Sequence, residues 1–436
     1  LTYVNQSSSI SDAGDQYTGL DRFDRIVDVA WRKSDGTYTD RFQYGYDKND
    51  SRLFRDNLVN TDFDELYHAN GNYGYDGLNQ LVAFARGALN TAKDSIASPT
   101  CSQTWTLDAT GNWTTVNACT GTQNRTHNKQ NQTTQAGGNN LAFDNNGNTT
   151  TDETGKQFVF DAWNRLVKVK NSSGTLLLTY TYDSLGRRVQ EITNGGTTRD
   201  LYYSDQWQVL EDKISSGAGT AQYVWSPAYV DAMILRDRDA NGTGGDGLHG
   251  QGLEERLYVQ HDANWNVTSI INTSGVVQER YVYDPYGRFT DAQGLDTAPL
   301  DASWAERGAS NFGWVYLHQG GRYDATSGFY HFRSRDLSPA LGRFMRTDPV
   351  GYRDGETNLY RLAGNNPIVR LDPSGEDFIT LADRKAFATS ARHYSLQYWH
   401  APCSSDAPDE LKNSPQTIQW VNALGAKKKE SDGIAD

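Results

Sequence analysis

One motif recurs along this 436-residue chain and limits its fold more than any other feature. It is an aromatic residue followed by Asp, two or three residues, Gly or Asn, then Arg or Asn and an apolar residue. It is read at Tyr75–Leu81, Leu107–Trp113, Phe143–Asn148, Phe160–Leu166, Tyr182–Val189, His261–Val267 and Tyr283–Arg288. A degenerate copy lies at Leu20–Val27, and Tyr46-Asp47 marks another. Asp161 and Asp183 are 22 residues apart, as are Asp262 and Asp284. Such internal periodicity is the signature of a repeat architecture. The unit reads as a hairpin: Asp caps backbone N–H groups, and Gly or Asn accepts the positive φ of a tight turn. Flanking segments such as Leu176–Asp183, Arg165–Asn171 and Glu279–Asp284 alternate with a period of two, as half-buried strands do. No hairpin buries its own face, so neighbours must stack into a continuous sheet.

Composition agrees. Only 36% of residues are hydrophobic, yet 12% are aromatic, with 25 Tyr and 11 Trp, so the chain folds around rings rather than aliphatic side chains. The expectation is all-β: a sheet of stacked antiparallel hairpins, with a small mixed tail. A net charge of −13 argues against a nucleic-acid-binding surface. No apolar run reaches the length of a membrane-spanning helix. The chain starts at Leu1, in the middle of a strand-like segment, and reads as a fragment of a longer polypeptide. Of three cysteines, Cys101 and Cys119 flank a hairpin and are placed to form a disulfide.

The densest motif cluster runs from Gly320 to Gly375. It contains Tyr330–Phe344 (YHFRSRDLSPALGRF), Thr347–Tyr352 (TDPVGY), Asn358–Pro367 (NLYRLAGNNP) and Leu371–Gly375 (LDPSG). With the repeats, it resembles the YD-repeat family with its RHS-associated core module, which includes bacterial RHS proteins, shell components of insecticidal toxin complexes, and teneurins. The resemblance implies a hollow, cocoon-like shell over residues 1–319, a closing core module over 320–375 and a variable segment over 376–436. It further implies a bacterial, secreted or cell-surface protein acting in encapsulation, adhesion or surface architecture. The partners implied are neighbouring repeats of the same longer chain and an encapsulated C-terminal segment. Exposed Trp and Tyr raise surface glycans as a further partner, in a glycan-binding adhesin.

In many members of that family the module cuts its own chain just after the DPxG element. Carried over by motif, the catalytic group is Asp348, Asp372 and Arg335, with cleavage near Gly375 and Glu376. Two adjoining carboxylates resist ionising together and share a proton, which suits them to acid–base work, and a guanidinium orients them. The structural counter-reading is that each Asp-Pro simply caps a turn. Glu376 adds like charge where relatives usually carry Leu, so a sealing module without cutting is the expectation and a single-turnover aspartyl autoprotease the alternative.

No cofactor is expected, with calcium the one exception considered. Asp237, Asp239 and Asn241, followed by Gly242, match the first half of a calcium loop, although Leu248 stands where a bidentate Glu is wanted. In the tail, His393, His400 and Cys403 are close in sequence, but polar tips of aromatic-rich strands explain them as well.

Overall fold

The computed structural model describes residues 19–378, apart from Asp24, Ser34, Asn70, Gly71 and residues 215–218, 244–251, 290–298 and 353–355. The tail with His393, His400 and Cys403 lies outside the described residues.

Strands follow one another in chain order with antiparallel pairing. A ten-stranded sheet runs from Asp28–Arg32 to Asn139–Asn140, and a thirteen-stranded sheet runs from Ala142–Phe143 to Val277–Arg280. A further four-stranded sheet, Arg322–Asp324 to Arg343–Phe344, follows. Among the described residues there is no α-helix, so the chain is all-β as expected.

Each repeat folds by the same local chemistry. In the turn after Phe160, Asp161 Oδ1 accepts from the Trp163 and Arg165 amides at 2.9 Å, and Asp161 Oδ2 accepts from Arg165 Nε at 2.8 Å. Asp183 holds Leu185 and Arg187 identically, and Asp76, Asp144 and Asp262 do the same with Gln80, Asn148 and Asn266. Burial pushes the Asp161 carboxyl up, but these donors outweigh it and hold it below the usual carboxylate range. Gly186, Gly111 and Gly147 take the positive φ that closes the turn.

The aromatic residue has a second role beyond packing. Its hydroxyl or indole N–H reaches the previous repeat and donates to the carbonyl five residues beyond that repeat's turn-initiating Asp or Ser. Tyr75 reaches Arg52 O (2.7 Å), Tyr182 reaches Leu166 O (2.8 Å), Trp225 reaches Val209 O (2.7 Å) and Tyr283 reaches Val267 O (2.8 Å). These latches fix repeat against repeat.

Two expectations are modified. The strand expected over 279–284 stops at Arg280, because Arg280 pairs with Leu300 and Tyr283 with Phe289 in isolated bridges. At the αL position, Trp265 and Trp207 replace Gly or Asn, with φ of 59° and 61°. Stacking of Trp265 on Tyr229, with centroids 5.3 Å apart, offsets that strain. Cys101 and Cys119 form the disulfide, joining the strands Cys101–Leu107 and Trp113–Ala118 at their open ends.

The interior is aromatic and cationic. Arg188, buried, lies over the Tyr180 ring at 3.6 Å and pairs with Asp336 at 2.8 Å, and Arg280 lies over Trp304 at 4.2 Å. Guanidinium planes stack on rings while their edges bind carboxylates. A chain so poor in aliphatic residues fills its core this way.

Residues 320–378 lie against the row of repeat turns. Their donors cap the carbonyls of the αL turn residues: Asn366 on Asn79 (2.8 Å), Asn365 on Gly111 (2.7 Å), Arg343 on Asn131 (2.7 Å) and Tyr360 on Gly147 (2.8 Å). A backbone carbonyl drawn out of water needs such a partner.

Candidate self-cleavage site

Arg335 opens the strand Arg335–Ser338, directly after the two-residue hairpin that pairs Phe332 with Arg335. Its guanidinium is buried and stacks over the Phe344 ring at 3.8 Å. Arg335 Nη2 meets Asp348 Oδ2 at 2.7 Å and Asp372 Oδ2 at 3.2 Å. The three residues carried over by motif therefore converge on one guanidinium nitrogen.

The turn roles of the two aspartates hold simultaneously. Asp348 Oδ1 accepts from the Val350 amide at 2.9 Å, and Asp372 Oδ1 accepts from the Glu376 amide at 3.0 Å. Turn capping and convergence are one arrangement: the turn aims one carboxylate oxygen at its own backbone and leaves the other for Arg335. The Leu359 carbonyl ties the parts together, accepting from the Asp348 amide at 3.0 Å and from Arg335 Nη1 at 3.2 Å.

The hairpin turn also grips the irregular segment that carries Gly375. Three consecutive residues take three consecutive carbonyls: Arg333 Nη1 donates to Pro373 O, the Ser334 amide to Ser374 O (3.0 Å) and Arg335 Nε to Gly375 O. Arg333 is itself anchored by a two-pronged ion pair with buried Asp231 (2.6 and 3.0 Å), on the wall turn before Met233–Arg238. Gly375 has φ +68°, and a Cβ there would collide with the Phe332 carbonyl. Any side chain at this position would push the segment off the turn.

The peptide bond between Gly375 and Glu376 is consequently held at both ends. Its oxygen accepts from Arg335 and its N–H donates to Asp372. Burial pushes the carboxyls of Asp372 and Asp348 up, with Arg335 pulling against it in both cases, and burial lowers Arg335 while the two carboxylates oppose that. Both carboxyls are thus held above the usual carboxylate range by their burial.

The calcium residues do not converge. Asp237 gives both carboxylate oxygens to Arg256 at 2.7 Å, Asp239 Oδ1 accepts from the Gly242 amide at 2.5 Å, and Asn241 Oδ1 accepts from the Thr243 amide at 2.6 Å. Among the described residues no three His, Cys, Asp or Glu are grouped to hold a metal ion. The end of that loop, 244–251, lies outside the described residues.

The Arg333–Asp231 anchor and the part played by Ser334 are absent from the motif reading. Asp231 is 102 residues from Arg333, and no local pattern marks it.

The family model described as the teneurin YD-shell matches residues 42–215. The tRNA3(Ser)-specific nuclease WapA of Bacillus spizizenii is 28% identical over 280 residues, covering 62% of this chain and 11% of the nuclease. Toxin subunit YenC1 of Yersinia entomophaga is 27% identical over 212 residues, covering 45% of this chain and 19% of the subunit. The chain thus spans a small fraction of the curated relatives it matches. The crystal structure of TcdB2-TccC3-Cdc42 superposes with a TM-score of 0.61 at 21% identity, covering 83% of this chain and 18% of that one, and shares its fold. With its stacked Tyr-Asp hairpins and the YD-shell matched over residues 42–215, the chain is similar to YD-repeat (RHS-type) shell proteins and shares the fold of the toxin-complex structure.

Proposed function

We propose that this chain is a wall segment of a secreted or surface-exposed YD-repeat shell, and that its closing module, residues 320–375, cuts the chain once between Gly375 and Glu376 to free the segment beyond. The observation that carries this reading is the Gly375–Glu376 peptide bond, with its oxygen on Arg335 and its nitrogen on Asp372. Water adds to the Gly375 carbonyl carbon and Asp348 accepts its proton, while the carbonyl electrons move onto the oxygen held by Arg335. When the intermediate collapses the C–N bond breaks, and Asp372 delivers a proton to the Glu376 nitrogen. The products are a carboxylate at Gly375 and an amine at Glu376. A preorganised donor at the developing oxyanion is worth roughly 10²–10³ in rate, and a placed acid or base a further 10²–10⁴. The names of the relatives, a nuclease and a toxin subunit, support a freed segment that is an effector enclosed by the wall.

The test is the mass and N-terminal sequence of freshly made protein. A fragment beginning at Glu376 is expected, and it should be lost or slowed at least about 100-fold in Asp348→Asn and Asp372→Asn. The rate should be bell-shaped in pH, falling on the acid side when both carboxyls are protonated and on the basic side when neither is. A chain that stays intact at 48.6 kDa in every condition would mean that the module only seals the wall.

A further inference from the structure

The turn that grips the segment Pro373–Gly375 also touches the side chain that follows it. Ser334 Oγ donates to Glu376 Oε1 at 2.7 Å. Ser334 is held in place from behind, since its carbonyl accepts from Arg346 Nε at 3.1 Å and its amide is spent on Ser374 O. Both Arg346 and Arg335 feel the Glu376 charge, and so do the acidic neighbours, since Glu376 acts on Asp348 alongside Asp377. The like charge that Glu376 brings to the aspartate pair is thus met by two guanidinium groups and one hydroxyl. An aliphatic side chain here would leave the Ser334 hydroxyl without its carboxylate and Arg346 without a counter-charge on that side.

Resting on the self-cleavage reading, we propose that Ser334 is a specificity-determining residue that, with Arg346 behind it, selects an acidic residue immediately after the cut. The place of the cut is set by backbone register, through the carbonyls of Pro373, Ser374 and Gly375. The choice of the following residue is set by Ser334. Glu376 is on this account the preferred occupant of its position and no obstacle to cleavage.

The experiment is a time course of fragment release from the full chain synthesised in a cell-free system. It compares the unaltered chain with Ser334→Ala, Glu376→Leu and the double variant, with Ser334→Thr as the conservative rescue. A hydrogen bond to a charged group is the interaction lost, so Ser334→Ala should slow release about tenfold and Glu376→Leu at least as much. The double variant should be no slower than Glu376→Leu alone, because each change removes the same contact. Ser334→Thr should restore most of the rate. Thermal unfolding of the same variants in an Asp372→Asn background should be unchanged, which separates loss of selection from loss of folding. Release by Ser334→Ala at the unaltered rate, or Ser334→Ala and Glu376→Leu effects that multiply, would overturn the role of Ser334 while leaving self-cleavage standing. Absence of release from every chain, the unaltered one included, would overturn both.

Discussion

His318 and His261 show how narrowly single residues are tolerated in this interior. Both are buried, and neither ring nitrogen of either has a hydrogen-bond partner among the described residues. His318 sits between the Tyr283 and Tyr330 rings, each with its centroid 5.8 Å away. Burial pulls His318 down to about 4 and His261 down to about 3. A histidine kept neutral by the fold contributes stability that is complete above the unfolded value near 6.5 and is lost as pH falls towards the folded value. Acidification from pH 7 to 5 should therefore lower the urea midpoint. His318→Phe, which keeps a ring and removes two unpaired polar atoms, should weaken that pH dependence and cost little at pH 7. A midpoint for His318→Phe that falls between pH 7 and 5 as steeply as in the unaltered chain would count against this account. The sequence marks only His261, as the first residue of a repeat copy, and nothing in it marks His318; their lack of partners is a property of what packs around them.

At the scale of the element, the repeat is held by its Asp turn and by its aromatic latch. The turn was legible in the motif, because Asp, Gly or Asn and the residue after it act within five positions of one another. The latch was not, because its acceptor lies in the previous repeat and is identified only by strand register. Tyr75→Phe deletes the donor to Arg52 O and strands a buried carbonyl, so it should destabilise by about 1–3 kcal/mol. Tyr202, on the strand Thr198–Tyr203 but out of phase with the latch, is half-exposed, and Tyr202→Phe should stay within about 0.5 kcal/mol. Equal losses in the two variants, measured by chemical denaturation, would mean that the hydroxyl contact carries nothing.

At the scale of the molecule, strands far apart in the chain meet through buried polar side chains. Asp40, on the strand Tyr38–Tyr46, accepts from Thr268 (2.7 Å), Ser269 (2.9 Å) and Arg280 (2.6 Å), more than 220 residues away. Beside it, Arg52 donates to Asn264 at 2.9 Å and Trp31 to His261 O at 2.9 Å. Breaking a buried pair leaves a bare charge, so Asp40→Ala should cost about 3–5 kcal/mol. The double change Asp40→Leu with Arg280→Met should recover much of that loss; a double variant as unstable as the single one would show that the pair itself is indispensable. The sequence by itself determined the all-β class and the Asp turns, because each rests on a short motif whose chemistry acts locally, and the family resemblance put forward Arg335, Asp348 and Asp372. Only the tertiary structure decided how those residues meet. Asp348 and Asp372 reach one guanidinium nitrogen because Leu359 ties Asp348 to Arg335 and because Arg333, anchored on Asp231 of the wall, presses Pro373–Gly375 against the turn. Side chains that far apart in the chain meet through packing and register, and a linear pattern carries no record of either.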